Sequence, residues 1–256
     1  MVDFRIVPLR CGHVINHAVG SFLYRAPPSS PRIDARIDAP CIAWLLLGPG
    51  GPVLVDTGPG PRAVAPQHYR PGDPDHFLPL ELARHGIDPQ AVETVILTHL
   101  HNDHVGDARL FPNATFHVQL QELQEAVCPV PFQRAIYEVN QPGRLPPWVH
   151  ILGRYVPLES DSVIKPGLST VILPGHTSGS QGVLVNTATG PHLLPGDLVP
   201  LQENWPGDGT RIPNGNHTDL YACERSFNRL AALGARVLPS HDPRVFDHAS
   251  YPTAQA

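Results

Sequence analysis

The 256-residue chain has only four cysteines, Cys11, Cys41, Cys128 and Cys223, and no two of them form a C-x-x-C pair. That scarcity argues against a disulfide framework or a cysteine-based zinc ribbon and predicts buried thiols in a reducing compartment. Basic stretches are missing too: 18 Lys and Arg against 23 Asp and Glu leave a net charge of -5. With no basic stripe to neutralise phosphates, a general nucleic-acid binder is disfavoured and small-molecule chemistry fits better. A long apolar run is absent from the amino terminus, where Met1 to Arg10 carries Asp3, Arg5 and Arg10. This predicts neither a signal peptide nor a membrane span, and makes the cytoplasm the expected location. No internal repeat of the short solenoid kind is present.

Hydrophobic residues make up 41% of the chain, enough for a sizeable core, and the length suits a single domain over residues 1–256. Proline is abundant at 31 residues, yet together with 22 glycines it stays below the roughly 25–30% of low-complexity chains. Three stretches, Ala26 to Pro40, Gly58 to Pro79 and Cys128 to Pro157, are too proline-broken for a long helix or central strand and are expected to be ordered loops. Short apolar runs read as buried strands at 41–47, 52–55, 94–97, 170–173, 182–185 and 237–238. Helices are expected at Leu78 to His85, Gln119 to Val127 and Asp219 to Leu233, the last stopped by Gly234.

The polar residues of interest fall where these strands stop, so that their side chains gather at one rim of a sheet. Val55-Asp56-Thr57-Gly58 ends one strand and Thr98-His99 another. His176 follows the strand at 170–173, Asp197 follows His192-Leu193-Leu194, and His241 follows Val237-Leu238. The densest group is Thr98-His99-Leu100-His101-Asn102-Asp103-His104, with four metal-binding side chains in six residues. Strand alternation turns His99 and His101 the same way, while Asp103 and His104 follow on a turn, so one segment can serve two metals. A metallohydrolase is the reading that this spacing supports.

The order His-x-His-x-Asp-His, then Gly-His, Gly-Asp and a late Ser-His resembles the metallo-β-lactamase superfamily over about residues 40 to 245. The resemblance implies an α/β fold, the αββα sandwich, with a dinuclear site at one edge. It also implies that His99, His101 and His176 bind a first metal, that Asp103, His104 and His241 bind a second, and that Asp197 bridges both. Five imidazoles and two carboxylates suit two zinc ions, and would accept iron(II) or manganese. Two such ions share a water, lower its pKa and present hydroxide to a carbonyl, with Asp103 as the catalytic proton carrier. Asp56 is expected to accept an N–H from a ligand histidine, the alternative being a simple turn cap. The remaining histidines, His13, His17, His68, His76, His85, His117, His150, His192, His217 and His248, read as ordinary core or surface residues.

Aspartate at 197, where class B1 β-lactamases place cysteine, argues against that type of antibiotic hydrolase, and His101 excludes the flavodiiron pattern, which has glutamate there. Around the motif, Leu97 to Asp107 followed by Leu110-Phe111-Pro112-Asn113-Ala114 is similar to the N-acyl homoserine lactonase and 4-pyridoxolactonase branch. The expected substrate is therefore a small-molecule lactone or related ester, with no membrane or nucleic-acid partner. Many lactonases of this kind carry a tyrosine three residues after the bridging aspartate. Here Pro200 stands in that position, with Tyr221 and Asn204 as candidate replacements. Phe132, Tyr137, Trp148 and Trp205 either wall an apolar pocket or simply pack. The competing readings are a glyoxalase II-like thioesterase, which lacks its expected basic cluster here, a mononuclear iron persulfide dioxygenase, and a non-catalytic metal-binding module.

Overall fold

The structure, a computed structural model, describes residues 2–25 and 35–253. Its first sheet has six strands in chain order: β1 (Arg5–Ala18), β2 (Arg36–Leu47), β3 (Val53–Val55), β4 (Thr94–Ile96), β5 (Thr115–Gln119) and β6 (Tyr155–Leu158). The first three pair antiparallel and the rest parallel. The second sheet contains β7 (Ser162–Lys165), β8 (Leu168–Ile172), β9 (Gln181–Thr187), β10 (Gly190–Leu194) and β11 (Arg236–Val237), in the order β11-β10-β9-β8-β7. Four helices join them: α1 (Phe77–Arg84), α2 (Asn102–Val105), α3 (Leu120–Val127) and α4 (Leu220–Leu233).

Alternation along β2 explains the layering. Ile42, Trp44 and Leu46 point one way and meet Leu168, Val183, Val185 and Leu194 of the second sheet in a shared core. Cys41, Ala43 and Leu45 point the other way, into a core with Leu78 and Leu82 of α1 and with Trp148 and Ile151. The far face of the second sheet, through Val171, Leu173 and Leu193, packs on Cys223, Phe227 and Leu230 of α4. Each sheet therefore buries apolar side chains on both faces, which gives the layer order helix, sheet, sheet, helix expected for the αββα sandwich. Helix α4 starts at Asp219, whose carboxylate accepts from Ala222 N–H at 2.9 Å, and ends at Gly234 with φ 60°, as the cap residues predict.

Several elements depart from the sequence reading, among them β5 and β7, which it did not include, and α2, which it took for a turn. The long strand β1 was not anticipated, because its polar His13, Asn16 and His17 interrupt the apolar pattern and bulges break its register. Of the expected loop at Ala26 to Pro40, residues 26–34 lie outside the described residues, while Arg36 to Pro40 extend β2. Tyr155 to Pro157, the end of the expected loop at Cys128 to Pro157, belong to edge strand β6, where a proline is tolerated because the edge needs no further ladder bond. Cys128 is exposed, unlike the other three thiols. Among the described residues, no helix is long and apolar enough to cross a membrane.

One contact holds the motif segment against the end of β3. Gly106 N–H donates to Gly58 O at 2.7 Å, and Thr57 N–H donates to His104 O at 2.6 Å. A Cβ at Gly106 would lie 2.1 Å from the Pro59 carbonyl carbon and 2.5 Å from Gly60 N, both backbone atoms. Gly106→Ala should therefore cost about 1–3 kcal/mol of stability through overpacking, measured by urea denaturation; an unchanged midpoint would refute the close approach.

Candidate metal centre

Four strand ends deliver the seven predicted residues to one rim. The turn after β4 carries His99 and His101, helix α2 begins immediately beyond and holds Asp103 and His104, and the loops after β8, β10 and β11 bring His176, Asp197 and His241. All five histidines are at most 2% exposed, and Asp197 is 8% exposed. His99, His101 and His176 offer donor atoms within 4.8 Å of one another, as do His99, His104 and Asp197.

The two oxygens of Asp197 face different histidines. Its Oδ1 lies 3.4 Å from His104 Nε2 and 3.2 Å from His241 Nε2, while its Oδ2 lies 3.6 Å from His176 Nε2. Asp103 Oδ2 stands 3.7 Å from both His104 Nε2 and His241 Nε2. The carboxylate of Asp197 thus spans a gap between two groups of imidazoles.

Hydrogen bonds on the outer edges of the rings fix which nitrogen faces inward. His104 Nδ1–H donates to Asp56 Oδ2 at 2.9 Å, His241 Nδ1–H to Pro40 O at 2.9 Å and His176 Nδ1–H to Asn216 O at 2.6 Å. His99 Nδ1–H donates to the Thr98 hydroxyl at 3.0 Å, which itself donates to Asp56. Each of these four rings turns its Nε2 inward. His101 is reversed: its Nε2–H donates to Gln133 Oε1 at 3.3 Å, so Nδ1 faces inward. His176 Nε2 and His101 Nδ1 consequently oppose each other at 3.0 Å with their outer protons already committed. His99 Nε2 and His104 Nε2 are buried with no hydrogen-bond partner among the described residues. Apart from the Ser240 hydroxyl, which donates to Asp197 Oδ1 at 2.7 Å, the cage is lined by ring nitrogens and carboxylate oxygens, a set that positive charge satisfies. Nitrogen and oxygen donors of this kind fit a divalent metal.

The electrostatics divide the cage. Burial, reinforced by the neighbouring imidazoles, pushes His99 far down, and burial together with His176 pushes His101 down to about 3, so both rings stay neutral. Burial works against protonation of His104 and His241 as well, but the carboxylates beside them win and hold both above the ordinary imidazole range. Asp197 is in turn held well below the usual carboxylate range: burial opposes this, and His241 and His104 outweigh it. Where the carboxylates concentrate, the site requires positive charge.

Sequence reasoning missed several residues that shape this centre. Glu122, fully buried on α3, accepts from Leu100 N–H at 2.9 Å and from the Thr177 hydroxyl at 2.6 Å. It therefore ties the segment between His99 and His101 to the loop that carries His176. Burial pushes Glu122 up to about 7 despite these bonds. Nothing in the local pattern distinguishes it from an ordinary amphipathic-helix glutamate. Gln133 lies in the proline-rich stretch, with no local signal of its own. Asp56 does more than cap a turn: besides His104, it accepts from Thr98 N–H at 2.7 Å and from the Thr98 hydroxyl at 2.8 Å.

The centre opens into a cavity of about 150 Å³ lined by Val14, Phe22 and Ile136 together with His17, His68 and Asn102. Two histidines that read as ordinary are therefore at the mouth. His68 donates its Nδ1–H to His13 O at 2.9 Å, a bond invisible in sequence because 55 residues separate the pair. Of the candidate tyrosine replacements, Asn204 is wholly committed: its amide donates to Phe22 O and Ile212 O, and its oxygen accepts from Leu201 N–H. Tyr221 is 79% exposed on α4 and does not line the cavity. Three of the aromatics resolve as packing, with Tyr137 and Trp148 buried and Trp205 stacked on Phe227, while Phe132 is exposed and does not line the cavity.

Comparison with known proteins agrees with this geometry. Residues 37–241 match the family model of the metallo-beta-lactamase superfamily. The N-acyl homoserine lactonase AttM of Azorhizobium caulinodans is 30% identical over 82% of this chain and 84% of its own. The human metallo-beta-lactamase domain-containing protein 1 is 31% identical over 90% of this chain and 74% of its own. Among solved structures, an N-acyl homoserine lactone hydrolase with N-hexanoyl-L-homoserine at its catalytic metal center superposes with a TM-score of 0.74 at 23% identity, covering 96% of each chain. A probable metal-dependent hydrolase from Staphylococcus aureus reaches 0.77 at 19% identity, covering 94% of this chain and 90% of its own. With the family model covering most of its length, the chain belongs to the metallo-beta-lactamase superfamily.

Proposed function

We propose that this protein is a dinuclear metal-dependent hydrolase that opens the ring of a small-molecule lactone. The observation that carries the reading is the two-sided Asp197 at the floor of an open cavity, with its Oδ1 toward His104 and His241 and its Oδ2 toward His176. In this assignment His99, His101 and His176 hold one zinc ion, Asp103, His104 and His241 hold the other, and Asp197 serves both. Bound there, the ions would supply hydroxide near neutral pH and Lewis acidity for the carbonyl. Asp103 both lines the cavity and approaches the ligand histidines, so it is placed to pass a proton to the alkoxide oxygen released when the ring opens. The small polar and apolar compartment beside it suits a lactone ring, with Val14, Phe22 and Ile136 against the carbon face. Lactone rather than thioester is favoured by the lactonase relatives and by the lack of a basic cluster at the carboxy terminus.

The test is to purify the protein without chelator, measure metal per chain and assay lactones, thioesters and persulfide on that sample. About two zinc ions with lactone-selective turnover is the expected result. Thioester selectivity, or one iron with oxygen uptake on persulfide, would overturn it.

Two substitutions examine the roles. Asp103→Asn should lower lactone turnover by about 10²–10⁴-fold, the usual worth of a positioned proton carrier, and wild-type turnover in a metal-replete variant would exclude that role. Asp56→Asn replaces the oxygens that accept from His104 and Thr98 and should weaken metal binding by about 10–100-fold. A chelator competition titration measures this, and unchanged affinity would return Asp56 to a turn cap.

A further inference from the structure

Cys41 stands on β2 immediately after Pro40, the residue whose carbonyl anchors His241. Its side chain is fully buried. Its Sγ, a carboxylate oxygen of Asp103 and a ring nitrogen of His241 all lie within 4.8 Å of one another. This neighbourhood was invisible in the sequence, where Cys41 lies 62 residues from Asp103 and 200 from His241 and reads as a core thiol. The other buried thiol of this sheet, Cys11, donates its S–H to Leu9 O at 3.5 Å. Cys41 has no such bond among the described residues.

We propose that Cys41 is a thiolate donor to the metal ion held by Asp103 and His241. The inference rests on the dinuclear reading above and extends it, because the donor set described there contains only nitrogen and oxygen. Two features argue for it together. The sulfur is beside two donors already assigned to one ion, and its hydrogen-bonding capacity is unspent among the described residues. Binding exchanges the S–H bond for an S–metal bond, and the proton leaves to solvent as the ion enters. No oxidant or reductant is involved. The two ion positions would then differ in chemistry: His99, His101 and His176 form a nitrogen-rich position, while the other gains a soft sulfur that favours zinc or cobalt over manganese or magnesium.

Cobalt(II) reports the ligand directly. The full-length apoprotein is loaded with cobalt, the bound metal is counted, and the near-ultraviolet spectrum is recorded for wild type, Cys41→Ser and Cys41→Val. A sulfur-to-cobalt charge-transfer band in wild type that disappears in both variants, with the visible cobalt bands retained, is the expected result. Loaded wild type without the band overturns the proposal even if neither variant folds, and a band that persists in the variants overturns it by pointing to another thiol. Failure to bind about two cobalt ions per chain would instead bring down the dinuclear reading, and this proposal with it.

Discussion

Everything at the rim follows from one electrostatic constraint: five imidazoles and two carboxylates are turned inward against one another. Imidazole nitrogens oppose each other at 3.0 Å at His101 and His176, and face a carboxylate at 3.2–3.4 Å at His241 and His104, where the carboxylates favour a positive charge. Such a cluster repels itself unless positive charge enters. The fold therefore has to supply rigidity from outside the cage, and it does so by committing the outer nitrogen of every ring. Two carbonyls, a hydroxyl, a carboxylate and a side-chain amide serve as the acceptors. Each bond selects a tautomer and an orientation at once. The shared outer partner, Asp56, links His104 directly to Thr98 and so, through the Thr98 hydroxyl, to His99.

The architecture explains why those acceptors arrive together. Pro40 lies in β2, Asp56 follows β3 and Thr98 follows β4, neighbouring strands of one sheet. His176, Asp197 and His241 come from the other sheet. The cage thus straddles the seam of the sandwich, and its two halves must be kept in register. Glu122 does this between the motif turn and the His176 loop, while Gly179 lets that loop approach α3 so closely that a Cβ would lie 2.1 Å from Glu122 N. Gln181 adds a cross-sheet tie, donating to Leu97 O at 2.8 Å. Buried polar ties of this sort contribute little net stability each, yet losing one partner strands the other.

The residues that meet in the candidate metal centre were legible in sequence because their chemistry is compressed: His99 to His104 packs four potential donors into six positions, and His176, Asp197 and His241 each follow a short apolar run ending in a turn. Strand periodicity alone implied a shared rim. What was not legible depends on pairing between distant segments. His68 is defined by a carbonyl 55 residues away, Gln133 by a ring 32 residues away, and Glu122 by two loops on different sheets. Strand β1 escaped because its polar residues and register breaks mask its alternation. The same strand then supplies Val14 and His17 to the cavity, so the cavity wall was the least readable part of the site.

The turn after β3 shows where the molecule accepts local strain to keep the cage intact. Asp56 has φ 60°, a left-handed backbone that costs most residues about 1 kcal/mol or more and that aspartate tolerates better than most. A relaxed backbone there would swing the carboxylate away from Thr98 and His104, whose bonds to it are 2.7–2.9 Å. Three hydrogen bonds to one buried carboxylate, worth roughly 1.5–3 kcal/mol each where a charge is involved, outweigh that strain. The left-handed geometry continues at Gly58 and Gly60, which turn the chain back beneath Gly106 and leave the Gly58 carbonyl to receive its N–H. Strain at Asp56, the absence of a side chain at Gly106 and the orientation of His104 are therefore one mechanical unit, in which the backbone of β3 aims an imidazole from 48 residues further along the chain.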